Sequence, residues 1–271
     1  MIGPVTISVL VALFVWWIST GLILIGIRVA DRVGGGMHGR LTLWCAPLIP
    51  LGLWGLHWSA QHEQLLAVYV AFFSALAIWA WIELAFLSGV ITGPNQFDLP
   101  NGTPEWERFL RAWGTVAYHE ILLVVMFVSL FAHSIGQVNT VGFWTFAILY
   151  FARISAKLNL YLGVPRINLE FIPPHLHHLK SHFRKADLNW LFPISVTCLT
   201  FAVACWIERI IASQMLADKV GFGLLAALSA LALLEHWLMV IPLPDAKLWR
   251  WMLPAPSTLR KDYKSEDAHG L

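Results

Sequence analysis

The sequence predicts an all-α, polytopic membrane helix bundle of about seven transmembrane helices, and three observations carry that prediction. Of the 271 residues, 58% are hydrophobic and only 13% charged, with a mean hydropathy of +0.67, outside the range of soluble globular domains. The apolar residues gather in stretches of roughly 17 to 25 residues, the length that crosses a ~30 Å hydrocarbon layer as a helix. The basic residues fall almost wholly in alternate connections between those stretches.

In chain order, the first stretch (about 4–27) has no basic segment ahead of it and no small-residue cleavage pattern, so it reads as a retained span rather than a signal peptide. The second (41–58) is the weakest, because Pro47 and Pro50 interrupt it and proline removes a helical hydrogen bond. The third (65–90) leads into the loop 91–111, where Thr103 reads as an N-cap, Pro104 as the first helical position and Glu105 as the first-turn acid. That signature predicts a short amphipathic helix feeding the fourth span (112–135). A fifth span (140–160) precedes the loop 161–187, in which Pro173 and Pro174 open a helix running to about Lys185. On that helix His175, His178 and His182 stand at i, i+3 and i+7, within roughly a 60° arc, while His177 points elsewhere. The sixth (188–210) and seventh (219–243) spans complete one bundle over residues 1–244, and residues 245–271 form a tail, expected on the cytoplasmic side.

Arg28, Arg32, Arg40, Arg108, Arg111, Lys157, the Arg166–Lys185 group and the tail all fall on one side, against Arg209 and Lys219 on the other. The excess of Lys and Arg marks the cytoplasmic side, so the N-terminus is expected outside and the C-terminus in the cytoplasm. The basic face suits anionic lipid headgroups as partners, and nothing resembles a nucleic-acid module. Cys45, Cys198 and Cys205 form no CxxC pair and read as small hydrophobes. No P-loop, nucleophile elbow or dinucleotide fingerprint is present, and Gly34–Gly36 lack a phosphate-binding context. His57, His62 and Glu63 read as a solvated interfacial group at the outer face, and His133 as interfacial too; Glu208 and Arg209, near the outer end of the sixth span, read as reaching water by snorkelling.

The residues that point to chemistry are three glutamates inside apolar runs: Glu83, Glu120 and Glu235, the last two beside His119 and His236. An ionisable group at such depth normally faces a partner or a cavity and marks a functional site. Each glutamate lies about ten residues from a cytoplasmic boundary, roughly 15 Å of helix at ~1.5 Å per residue, so the three share a leaflet with the histidine-bearing loop. Carboxylates crowded in low dielectric need counter-charge. One or two iron ions, or another divalent metal, would supply it, with Glu83, His119, Glu120, His175, His178, His182, Glu235 and His236 as candidate ligands. The inventory matches dinuclear carboxylate–histidine centres, but the Glu-x-x-His spacing of di-iron bundles is absent, which leaves open the ligating member of each adjacent pair. Two other readings stand beside this one. Arg153 and Lys157, at i and i+4, can neutralise two of the glutamates as structural ion pairs. Alternatively His119 or His236 ligates the central magnesium of a tetrapyrrole, with nearby tryptophans packed on the macrocycle.

The run ARISAKLNLYLGVPRINLEFIPPHLHHLKSHF (152–183), with AYHEILL and EHWLMVIPLPDAKLW, resembles the PuhE family, polytopic membrane proteins of anoxygenic phototrophic bacteria encoded among reaction-centre genes. The resemblance implies a role in assembling photosynthetic complexes or in supplying bacteriochlorophyll to them, with reaction-centre or light-harvesting assembly proteins as partners. It brings no catalytic residues with it. The polar inventory leaves open a second activity, a metal-dependent membrane oxygenase or hydroxylase acting on a pigment precursor or lipid, and a third, a non-enzymatic chaperone holding bacteriochlorophyll or a precursor.

Overall fold

The computed structural model describes residues 3–169 and 172–241; the expected tail, 245–271, lies outside them. Among the described residues the α-helices run in the order α1 (Pro4–Val33), α2 (Met37–Trp44), α3 (Leu48–Ala60), α4 (Leu65–Leu87), α5 (Glu105–Ser134), α6 (Val141–Leu162), α7 (Leu179–His182), α8 (Leu191–Ala212) and α9 (Leu216–Leu238). Six of them, α1, α4, α5, α6, α8 and α9, are long and apolar enough to cross a membrane.

The second expected span is broken into α2 and α3. Pro47 has no N–H to continue α2, and the chain tightens there, with the Ala46 amide bonded to the Leu43 carbonyl at 3.0 Å. This frees the Thr42 carbonyl, which accepts the Trp81 indole N–H from α4 at 3.0 Å. Irregular backbone at membrane depth persists only where protein satisfies it, and Trp81 does so. Farther along, α3 lies close on α4: a Cβ on Gly52 would come within 2.9 Å of the Ser74 carbonyl, and one on Gly55 within 2.2 Å of Ser74 Oγ. Such small-residue contacts are how helices associate tightly in lipid, where apolar burial alone favours no partner.

Helix α9 is the hub, packed against α8, α1, α6 and α4. It buries most of its length, whereas α8 buries little of its own. One apolar cluster joins Ala12 of α1 and Phe72 of α4 to Val220, Leu224 and Leu228 of α9. A second joins Leu56, Ile78, Ile82, Leu123 and Phe146 across α3, α4, α5 and α6.

The amphipathic segment expected before the fourth span merges with it into one 30-residue helix, α5. Thr103 does not cap it; its hydroxyl donates to the Pro100 carbonyl at 2.7 Å and Pro104 takes the N-cap position. In its middle α5 exchanges backbone bonds with the segment after α4: the Asn95 amide donates to the Gly114 carbonyl (3.0 Å) and the His119 amide to the Thr92 carbonyl (3.1 Å). Gly93 permits that approach, since a Cβ there would lie 2.1 Å from the Gly114 oxygen.

The helix expected from Pro173 to about Lys185 is instead a 3-10 turn, Pro174–Leu176, followed by the single-turn α7. Tertiary hydrogen bonds win over local propensity here. Arg184 N–H bonds Leu160 C=O at 3.0 Å, and Val164 exchanges bonds with Arg184 and Ala186, drawing residues 183–186 into extended chain beside a Val164–Lys185 bridge. Leu176 and Leu179 pack on Phe86. Buried Arg108 of α5 fastens the loop from below, donating to the carbonyls of Tyr161 (2.6 Å) and His182 (3.3 Å). The loop thus covers one end of the bundle. Beyond it Asn189 accepts the Leu191 and Phe192 amides, satisfying the first orphan donors of α8.

Candidate functional site

The eight candidate residues do not converge on one point. Glu83 of α4 and His119 and Glu120 of α5 meet in the interior; Glu235 and His236 of α9 bond instead to Trp16 of α1 and Ser155 of α6; the loop histidines lie above, near the ends of α1, α4 and α5.

The interior centre is nearly closed, with Glu83 7%, Glu120 4% and His119 0% exposed. Arg153 and Lys157 enter it from successive turns of α6. Arg153 Nη2 lies 2.9 Å from Glu83 Oε2, and the Lys157 ammonium donates to Glu120 Oε1. His119 lies between the two carboxylates, its Nε2 3.6 Å from Glu83 Oε1 and its Nδ1 3.4 Å from Glu120 Oε1. Lys157 Nζ is also 3.2 Å from His119 Nδ1. An ammonium only donates and a carboxylate only accepts, so Nδ1 faces a donor in Lys157 and an acceptor in Glu120, while Nε2 makes no hydrogen bond. Phe86 closes one wall, its ring centroid 4.5 Å from that of His119 and 5.4 Å from the Lys157 nitrogen. The counter-charge that buried carboxylates require is therefore supplied by Arg153 and Lys157.

Glu235 lies in the last turn of α9, where it accepts the Trp16 indole N–H of α1 at 3.1 Å. His236, 1% exposed, has both ring nitrogens engaged: Nδ1 is 2.8 Å from the Ala232 carbonyl and Nε2 2.9 Å from Ser155 Oγ. The carbonyl can only accept, so Nδ1 carries the proton and Nε2 accepts from the serine hydroxyl. Trp79 of α4 packs edge-on against Phe146 of α6.

The three loop histidines take separate positions. His182 Nε2 lies 3.3 Å from the Phe97 carbonyl, and His178 is buried with Nε2 unbonded. Burial holds both below the ordinary imidazole pKa; for His178 the neighbouring His177 and His182 add to that effect, with Asp98 opposing in each case. His175 turns toward α1 and α2, where it joins two residues that sequence reasoning passed over. Asp31 Oδ1 is 3.0 Å from His38 Nε2 and 3.7 Å from His175 Nδ1, and donor atoms of all three lie within 4.8 Å of one another. Among the described residues this is the cluster whose donor set could hold a metal ion. The available signal was Gly34–Gly36: all three have positive φ, 64°, 55° and 78°, a run that turns α1 back on itself and brings His38 over Asp31. At the opposite end of the bundle, His62 Nδ1 is 2.7 Å from the Trp58 carbonyl with its ring stacked on Trp58.

Fold and site together define a multi-pass helical membrane protein with a charge-paired interior centre beneath a histidine-bearing loop. The chain belongs to the family described as "Protein of unknown function (DUF3623)", whose profile matches residues 2–260. It is 51% identical over 246 residues to a Rhodobacter capsulatus protein described as "Uncharacterized 30.4 kDa protein in puhA 5'region", a match covering 91% of this chain and 90% of that relative. The relationship agrees with the resemblance to the PuhE family carried by residues 152–183. With six membrane-length apolar helices, it identifies a bacterial inner-membrane, multi-pass protein. No solved structure matches the chain.

Proposed function

We propose that this protein is an inner-membrane factor for photosynthetic complex assembly, acting on the complexes or on the bacteriochlorophyll supplied to them. The observation that carries this reading is the near full-length relationship to a protein encoded in the puhA 5' region. The interior centre supports it: with Glu83 and Glu120 each paired to a cation, the polar interior acts as a fastening between α4, α5 and α6, as a scaffold requires. In this reading α2 and α3 together form a seventh crossing antiparallel to α4, supported by the contacts from Thr42–Trp81 to Gly55–Ser74. The N-terminus is then outside and the covering loop cytoplasmic.

A second reading, a metal-dependent membrane oxidoreductase, is favoured by one observation, the Asp31–His38–His175 cluster. The pigment-chaperone reading asks more of the site, because magnesium ligation by His236 Nε2 requires Ser155 to give up its 2.9 Å contact.

The test is replacement of the relative in Rhodobacter capsulatus. Deleting that gene is expected to lower the near-infrared absorbance of reaction-centre and light-harvesting complexes per cell, and expressing this chain to restore it. Unchanged absorbance and unchanged pigment precursors after deletion would remove the assembly role.

A further inference from the structure

We infer that Asp31, His38 and His175 form a mononuclear binding site for a divalent transition metal, with Asp31 Oδ1, His38 Nε2 and His175 Nδ1 as the protein ligands. Two imidazoles and one carboxylate facing a common point are the donor set of facial-triad metal centres, which leave the remaining positions open. Ligand atoms ~2.1 Å from a shared ion stand roughly 3.0 to 3.4 Å apart. The Asp31–His38 and Asp31–His175 separations of 3.0 and 3.7 Å lie within a few tenths of that range.

The protonation pattern points the same way. His175 Nε2 is 2.9 Å from the Leu87 carbonyl, which can only accept, so Nε2 bears the proton and Nδ1 presents a lone pair. That lone pair faces the Asp31 carboxylate at 3.7 Å, two acceptors opposed with no hydrogen of their own to share. A cation between them resolves the opposition. The backbone carbonyl is also the partner that characteristically orients a ligating imidazole from its far side.

The surroundings are arranged to bring these rings together. Gly89, in the left-handed region at φ 72°, lies where a Cβ would stand 3.0 Å from His175 Cδ2, so a side chain there would crowd the ring. The His38 and His175 rings are 4.5 Å apart at 56°, consistent with two ligands viewing one point from different directions. The three side chains are 23 to 30% exposed, so open coordination positions face outward from the bundle end. Bound metal would tie the loop 161–187 to the α1–α2 turn, elements otherwise remote in sequence. The site specifies one ion rather than two, and it stands independently of the assembly role.

The test uses the full-length protein in detergent micelles, stripped with EDTA and titrated with Co(II) as a visible probe. One Co(II) per chain is expected, displaced by Zn(II). Asp31→Asn, His38→Ala and His175→Ala should each weaken binding at least tenfold, with His177→Ala unchanged. Size exclusion and helical circular dichroism verify that each variant is folded. The variant His175→Cys guards against loss of fold: it should retain Co(II) and acquire a thiolate-to-cobalt charge-transfer band. Absence of stoichiometric Co(II) in the wild-type protein, or wild-type affinity retained in the ligand variants, would overturn the assignment. Neither result bears on the Rhodobacter capsulatus replacement, so failure of the metal site and failure of the assembly role are separable.

Discussion

Arg153 of α6 closes on Glu83 of α4 at 2.9 Å, joining the two helices by charge. The pair is asymmetric in burial, with the arginine side chain 38% and the glutamate 10% exposed. Removing one partner of a buried pair strands the other charge at several kcal/mol, whereas an exposed pair contributes little. Between those limits, Arg153→Met should lower stability by about 2 kcal/mol. The double variant Arg153→Met/Glu83→Gln should regain part of that loss. Thermal melting in micelles, run as a double-mutant cycle, measures the coupling; additive losses would show that the pair carries none.

The same logic ranks the second pair above the first. Lys157 and Glu120 are 22% and 5% exposed, and His119 leans on both, so Lys157→Met should cost more than Arg153→Met. It also removes the donor that faces His119 Nδ1 and leaves that nitrogen to the Glu120 carboxylate. Nitrogen-15 chemical shifts of labelled histidine should therefore move toward the Nδ1–H state of His119 in Lys157→Met. Unchanged His119 shifts would show that Lys157 does not act on the ring.

The glycines give a contrast that needs no charged group. Gly93→Ala would place a Cβ 2.1 Å from a backbone oxygen of α5, and overpacking of this kind costs about 1–3 kcal/mol. Gly39, inside α2, has open space around its Cβ position, so Gly39→Ala should be neutral or stabilise by up to about 1 kcal/mol through helix propensity. Melting temperatures of the two variants should therefore move in opposite directions or differ clearly in size.

The covering loop should loosen as pH falls. His178 and His182 have pKa values held down in the folded protein, by burial foremost, then for His178 by His177 and His182; at His182 burial outweighs the bond to the Phe97 carbonyl, with Arg108 adding to it and Asp98 opposing. A base with a depressed folded pKa takes up protons more readily when released. The stability it confers is complete above the ordinary imidazole value of about 6.5 and is lost as pH drops through the folded pKa. Amide exchange of residues 176–186, corrected for intrinsic rate, should show less protection at pH 5.5 than at pH 7.5. Equal protection at both would contradict the expectation.

The membrane-length helices were legible because apolar run length is a one-dimensional signal, and α4 begins at Leu65 as expected. Arg153 and Lys157 were legible as counter-ions because their i, i+4 spacing puts both on one face of α6. The loop 161–187 was read as a longer helix because its local signals favour one; the bonds from Arg184 to Leu160 and Val164 are tertiary and leave no periodic trace. Asp31 and His38 escaped notice for a related reason. Their meeting depends on three consecutive positive-φ glycines and on a histidine arriving from residue 175, a conjunction no spacing rule encodes.

The hub position of α9 has a consequence for biogenesis. Among the described helices it is synthesised last, yet it supplies Val220, Leu224 and Leu228 to the cluster that α1 and α4 also enter. The spans made earlier reach the bilayer before the surface they pack on exists. Their glutamates and cations can then pair while the bundle is still an open bowl. Early pairing of Glu83 with Arg153 and of Glu120 with Lys157 would hold α4, α5 and α6 as a waiting half-structure, into which the final helix drops as a keystone.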